Sequence, residues 1–315
     1  NDRSKWQAAA DAAKEVIDLG IYSLDPDYKG LFLNAESPEI IFQRLYNTEF
    51  GSWFDWYNST NGWGGYSCTA VLQEMVDSYE MEDGSMPDAS IYANATENPW
   101  AGRDPRLYAS VVCDGQDFRG TEVEFWVDED GDTGGIDSEF GRDAWNYSKT
   151  HYIIRKFMDE SLQNSWSDKG SQPWVYCRLA EIYLNYAEAL FHLGDENGAR
   201  QYINLVRERA RGGNPAILPD VTESGDALLA KIQHERKVEL AFEEHRFYDV
   251  RRWKIGEQTD SGEFHGINIT KMADGSKKYE IFKVQDRLFK AADYLLPIPN
   301  YERRKNDLLE QNPGY

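Results

Sequence analysis

RLAEIYLNYAEALFHLGDENGARQYINLVRERAR, residues 178–211, reads as two helices joined by GDENG at 194–198. The first run is apolar almost all round, from Leu179, Ile182 and Tyr183 to Leu190 and Phe191, so neighbours must cover it on most sides. One stripe is polar. Arg178, Glu181, Asn185, Glu188 and His192 recur at helical spacing and share a face. Buried charges need partners, so other segments must return to meet them. Asn204, Arg207 and Arg211 in the second run have the required spacing, as do Arg236, Glu239, Glu243 and Arg246 in a third run over 226–253. The three runs are expected to form one helical layer with a paired polar seam. A carboxylate catalytic site is the competing reading of the stripe. It is set aside because ion-pair networks use the same residues without chemistry. Ala187, Ala189 and Ala199 at the crossing give the 178–211 pair a tetratricopeptide character.

Several words in this half occur in a recognisable order: RLAEIYLNYAEA at 178–189, INLVRERA at 203–210, IQHERKVELAFEEHRFYDVRRW at 232–253 and LLPIPNYERRKNDLLEQNPGY at 295–315. RDPRL at 103–107 and YIIRK at 152–156 are weaker echoes. Together they resemble the C-terminal region of the RagB/SusD family, surface nutrient-binding lipoproteins that work beside TonB-dependent transporters. The resemblance implies a mainly α, SusD-like fold with tetratricopeptide-like helix pairs, plus a loop-rich region with short β-strands. It implies two regions of one continuous domain: a ligand-facing 1–173 with an N-terminal helix, and a helical 174–315. It implies a non-enzyme that captures a glycan or another nutrient and delivers it to a SusC-type TonB-dependent transporter at the cell outer membrane, facing outward. Family members are longer and begin with a lipidated cysteine after a signal peptide. The chain is therefore expected to be the C-terminal part of that pattern, with any membrane attachment through an N-terminal lipid anchor outside it.

Composition narrows the classes. With 34 Lys and Arg against 55 Asp and Glu, the net charge is −21, which argues against nucleic acid and anionic lipid. No apolar run is long enough to span a bilayer, and 1–20 reads as an amphipathic helix rather than a signal peptide. Cys68, Cys113 and Cys177 have no metal-site spacing and are expected to be buried, inert thiols.

Outward from the helical half, 4–19 reads as a helix with Ser4 as candidate cap. Residues 39–46, 107–113, 121–127 and 151–157 read as strands, and 69–79 as a short helix. Loops are expected at 83–105 and 161–171, and a polar excursion at 257–290.

The stretch 50–66, FGSWFDWYNSTNGWGGY, has neither helical nor strand period. Two readings stay open: its rings plug gaps in the body, or some are exposed as a platform on which sugar C–H faces stack. Candidate ligand-binding residues are Trp53, Trp56, Tyr57, Trp63 and Tyr66, with Trp126 and Trp145 from neighbouring loops. Asp128, Asp130, Asp132 and Glu139 imitate a calcium loop, but Thr133 stands where an EF-hand needs glycine. No cofactor is expected. A looser calcium site is the alternative to a solvated acidic turn. A glycan-active hydrolase and a helical peptide-binding scaffold are the competing functions. No catalytic motif singles out a carboxylate pair for the first.

Overall fold

The computed structural model describes residues 2–95, 98–163 and 167–315. The predicted loops at 83–105 and 161–171 include 96–97 and 164–166, which lie outside the described residues.

Helix α1 is Arg3–Asp18, and its cap is Asp2, whose carboxylate accepts from the Ser4 N–H at 3.0 Å. Strand β1 (Ile40–Arg44) follows. Helices α2 (Phe54–Asn58), α3 (Gln73–Val76), α4 (Ser90–Ala93) and α5 (Pro105–Ser110) are one turn or little more. The expected strand at 107–113 is thus mostly helix. Asp104 caps it, accepting from the Arg106 N–H, and Pro105 sits at the first helical position. Only β2 (Val111–Val112) remains extended, paired with β6 (Ile153–Ile154), the whole of the strand expected at 151–157.

Between them lie β3 (Asp117–Phe118), β4 (Thr121–Glu122) and β5 (Val127–Asp128). The expected strand at 121–127 is interrupted because side chains take its backbone donors. The Glu124 N–H goes to Asp137 and the Phe125 N–H to Asp114. Strand β7 (Trp174–Arg178) pairs antiparallel with β1 and runs straight into α6 (Leu179–Leu193). Gly194, at φ +90°, closes α6 in the left-handed form, and Asp195 caps α7 (Glu196–Ala210).

The run 226–253 was expected to be one helix and is two, α8 (Gly225–Glu239) and α9 (His245–Trp253). Phe242 and Glu244 have φ of +64° and +68°, a backbone no helix accommodates. After the short α10 (Gly256–Thr259), the predicted polar excursion is a hairpin of β8 (Gly262–Lys271) and β9 (Lys277–Arg287), with β5 parallel to β8 at its edge. A last turn, α11 (Asn300–Arg303), precedes the C-terminal coil.

Among the described residues, three apolar clusters fill the interior. The largest joins Trp100, Phe118, Phe125 and Tyr152 to Ile267 and Ile269 of β8. The second lies between α6, α7 and α8, around Leu184, Ile203 and Ile232. The third gathers Tyr28, Phe32, Phe157 and Val175.

The seam exists, and four of its partners, Glu39, Glu80, Arg106 and Lys156, come from outside the three runs. Buried Arg178 reaches Glu39 (2.6 Å), Glu239 (2.6 Å) and Glu243 (2.7 Å). Glu239 also receives Arg106 (2.9 Å) and Arg209. Lys156 pairs with Glu243 at 2.6 Å, and Arg207 bridges Glu80 and Glu235. The break after α8 is what turns Glu243 back toward Arg178 and Lys156. Glu188 pairs instead with Arg252 and the Trp253 indole N–H. Asn185 accepts from Arg236, and His192 stacks on Trp6 of α1 at 4.0 Å. Burial alone would raise the Glu239 pKa, but Arg209, Arg178 and Arg106 together hold it well below the usual carboxylate range.

The thiols differ from expectation at one position. Cys113 is buried and Cys177 half-buried, but Cys68 is exposed; all three are free.

Candidate functional site

The stretch 50–66 is ordered around two buried polar side chains. Asp55, on α2, accepts from the Arg119 guanidinium (3.1 Å), the Asp159 N–H (2.8 Å) and the Gln172 amide (2.6 Å). These bonds fix α2, and with it Trp56 and Tyr57, to the body. Burial pushes the Asp55 carboxyl up to about 6. Asn61, in a 3-10 turn Asn61–Trp63, donates to the carbonyls of Ser138 (3.0 Å) and Arg142 (2.7 Å). That clamp ties the loop carrying Trp145 to the turn after α2. Gly65 is required here, because a Cβ would lie 2.3 Å from the Ser59 carbonyl oxygen.

Five of the seven predicted rings come together. Trp56 is central and half-buried, with Trp53, Tyr57 and Tyr66 at centroid distances of 5.4, 5.2 and 5.1 Å. Tyr66 continues to Trp145 at 5.5 Å, edge to face. Trp145 is 70% exposed, Tyr57 47% and Trp53 37%. The array is thus neither wholly a plug nor wholly a platform: half-buried rings support exposed ones. The Lys169 ammonium, which the sequence reading missed, stands 5.1 Å from the Trp53 ring centre. Nothing in its local spacing singles it out.

Two predicted rings sit elsewhere. Trp63 packs on the largest core cluster and donates its indole N–H to the Thr121 hydroxyl at 3.2 Å. It lines a separate recess of about 360 Å³ with Ile136, Asp137 and Arg142. Trp126 also packs on that core, with the Lys271 ammonium 4.1 Å from its ring centre.

Asp137 is buried and pushed up to about 6 by desolvation, against the pull of the Glu124 N–H. A carboxyl whose folded pKa exceeds its unfolded value holds its proton more tightly when folded. Its ionisation therefore costs stability above about pH 6, and that cost vanishes below about pH 4. Asp137→Asn should stabilise the protein by about 2–4 kcal/mol at pH 8 and leave it unchanged at pH 4, read by urea melts of both proteins at each pH. An equal difference at both pH values would refute this.

In the acidic loop, Asp128 is engaged internally, accepting from the Asp132 N–H and from the Thr133 N–H and hydroxyl. No group of three or more metal-binding side chains stands together among the described residues.

The comparisons with known proteins agree with one another. The chain is 26% identical to SusD-like protein P2 of Formosa agariphila, over 99% of this chain and 57% of that protein. It spans about half the length of the curated relatives it matches. A SusD-like protein from Bacteroides fragilis superposes with a TM-score of 0.79 at 31% identity, covering 99% of this chain and 62% of that one. A SusD-like carbohydrate binding protein, also from B. fragilis, gives a TM-score of 0.81 at 26% identity, over 97% and 61%. The fold is SusD-like, and none of these three carries the name of an enzyme. With the SusD family model matching residues 38–315, the chain belongs to the SusD family.

Proposed function

We propose that the protein captures oligosaccharide or polysaccharide at the outer surface of the outer membrane and hands it to a SusC-type TonB-dependent transporter. The observation that carries this reading is the array of Trp53, Tyr57 and Trp145, exposed at its edges and supported from beneath by Trp56 and Tyr66. Sugar rings present apolar C–H faces, which stack on such aromatics, and their hydroxyls take polar contacts beside them. A solved neighbour with a closely similar fold is named a carbohydrate binding protein, which supports the same ligand class here. As the family resemblance implies, attachment to the membrane would be through an N-terminal lipid anchor; no helix among the described residues is long and apolar enough to cross one. In this reading 1–173 is the ligand-facing region and 174–315 the helical support, acting as one domain. The α6–α7 pair is its tetratricopeptide-like unit.

Affinity electrophoresis through a series of polysaccharides tests the proposal, with an assay for new reducing ends run alongside. Retardation by at least one glycan without new reducing ends is the expected result. New reducing ends would make the protein a hydrolase, and no retardation by any glycan would remove the proposal.

A further inference from the structure

A second recess, which shares no lining residue with the aromatic array, lies where the turn between α8 and α9 meets α3 and β9. It encloses about 540 Å³. Its walls are apolar: Val71, Leu72 and Met75 on one side, Phe242 and Val284 on the other. Four cations also line it, Lys149, Lys237, Arg246 and Arg287. In a chain of net charge −21, this concentration of positive charge is against the general trend.

The four are also poorly neutralised. Among the described residues none of them lies within ion-pair distance of a carboxylate. The Lys237 ammonium has a long contact, 3.4 Å, to the Glu74 carbonyl, while the Glu74 carboxylate is occupied by the His265 ring. Lys149 rests on the Tyr147 ring, and Arg287 rests on Phe264 and donates to the Gln285 amide oxygen, a neutral acceptor that leaves its charge uncompensated. A half-buried cation whose counter-charges stand beyond ion-pair distance is costly, and an arriving anion in direct contact lowers that cost. Burial, with Arg246 adding to it, holds the Lys237 pKa down to about 8. Burial lowers that of Arg246 too, against the pull of Asp260 and Asp249.

We infer that this recess binds a small amphipathic anion: a carboxylate or sulfate held by Lys237 and Arg246, on an apolar body that fills the space between Met75, Phe242 and Val284. Charge selects the head group, and the apolar walls exclude a bare, strongly hydrated ion. The inference does not depend on glycan binding at the aromatic array.

Three probes with the same alkyl chain separate charge from greasiness: octyl sulfate, octyl glucoside and octyltrimethylammonium, each below its micellar concentration, titrated calorimetrically. Octyl sulfate should bind with one-to-one stoichiometry, about tenfold or more tighter than the neutral and cationic probes. Inorganic sulfate should bind far more weakly than octyl sulfate. Lys237→Met and Arg246→Gln should each weaken octyl sulfate about tenfold. If either unfolds, the exposed-rim double variant Lys149→Gln, Arg287→Gln should still weaken it about fivefold.

Proton uptake gives an independent readout. Around Lys237, Asp260, Glu74 and Asp77 favour its protonation and Arg246 opposes it. At pH 8 an anion beside Lys237 should draw up to about half a proton from buffer, and none at pH 6. The uptake should disappear in Lys237→Met. Equal affinity for the three alkyl probes, sulfate binding as tightly as octyl sulfate, or wild-type affinity in the folded variants would each overturn the inference.

Discussion

Arg178→Ala should destabilise the protein by roughly 3–5 kcal/mol. The side chain is buried and touches three carboxylates, Glu39, Glu239 and Glu243, and it also donates to the Glu239 carbonyl. Its loss would leave three buried acids with only two of the cations that now contact them on this side, Arg209 and Lys156, beside Arg106 on Glu239. Arg209 still reaches Glu39 and Glu239, and Lys156 still reaches Glu243, so the acids are not wholly stranded. Arg178→Met separates charge from volume, because it keeps most of the aliphatic stem. It should cost nearly as much as alanine. The same network dictates an acid response. Glu239 has a folded pKa held below its unfolded value near 4.5, so its contribution is present above about pH 4.5 and is lost only as pH falls through the lower folded value. Urea melts at pH 7 check the substitutions. A loss below about 1 kcal/mol for Arg178→Met would mean that the seam holds little of the fold together.

The aromatic array makes the second large prediction, and it divides the seven rings. Trp145→Ala, Trp53→Ala and Tyr57→Ala should each leave the melting curve within about 0.5 kcal/mol of wild type. Each should weaken retention by the cognate glycan about tenfold or more. Trp63→Ala should behave in the opposite sense. Its ring packs on the core and its N–H is used by Thr121, so about 2–4 kcal/mol of stability should be lost with little direct effect on retention. Trp56 supports three neighbours, and its removal should affect both measurements. Wild-type retention in all three exposed-ring variants, or unfolding of all three, would move the binding surface elsewhere.

The helices at 179–193 and 196–210 were legible because their apolar residues keep a 3.6-residue period and glycine or aspartate marks their ends. The break between α8 and α9 was not. Neither Gly nor Pro punctuates 240–244, and the two left-handed residues there are Phe242 and Glu244, held by the ion pairs of Glu243 rather than by local preference. The hairpin at 262–287 was hidden by a register shift between Phe264 and His265, which puts inward residues out of simple alternation. The seam was legible as a need for partners, but Glu39, Arg106 and Lys156 lie in segments with no helical period to reveal them. Arg209 lies off the stripe formed by Asn204, Arg207 and Arg211. The rings of the candidate site stood out by composition. Which of them face outward depends on the Asn61 clamp, a contact 77 and 81 residues away in sequence.

The Arg209–Glu39 contact joins residues 170 apart, and the Arg106–Glu239 contact spans 133. Contacts so remote form slowly, because the chain must first give up the loop entropy between them. The local pairing of α6 with α7 needs no such search. The order of folding is therefore expected to run from helical hairpin to seam, with charge neutralisation as a late, locking event. Arg209→Gln should accordingly leave the refolding rate almost unchanged and speed unfolding, as read from the two arms of a stopped-flow chevron. A slowed refolding arm would place the seam in the nucleus instead. In the expected order, the ionic centre of this protein governs how long the folded state lasts rather than how quickly it is reached.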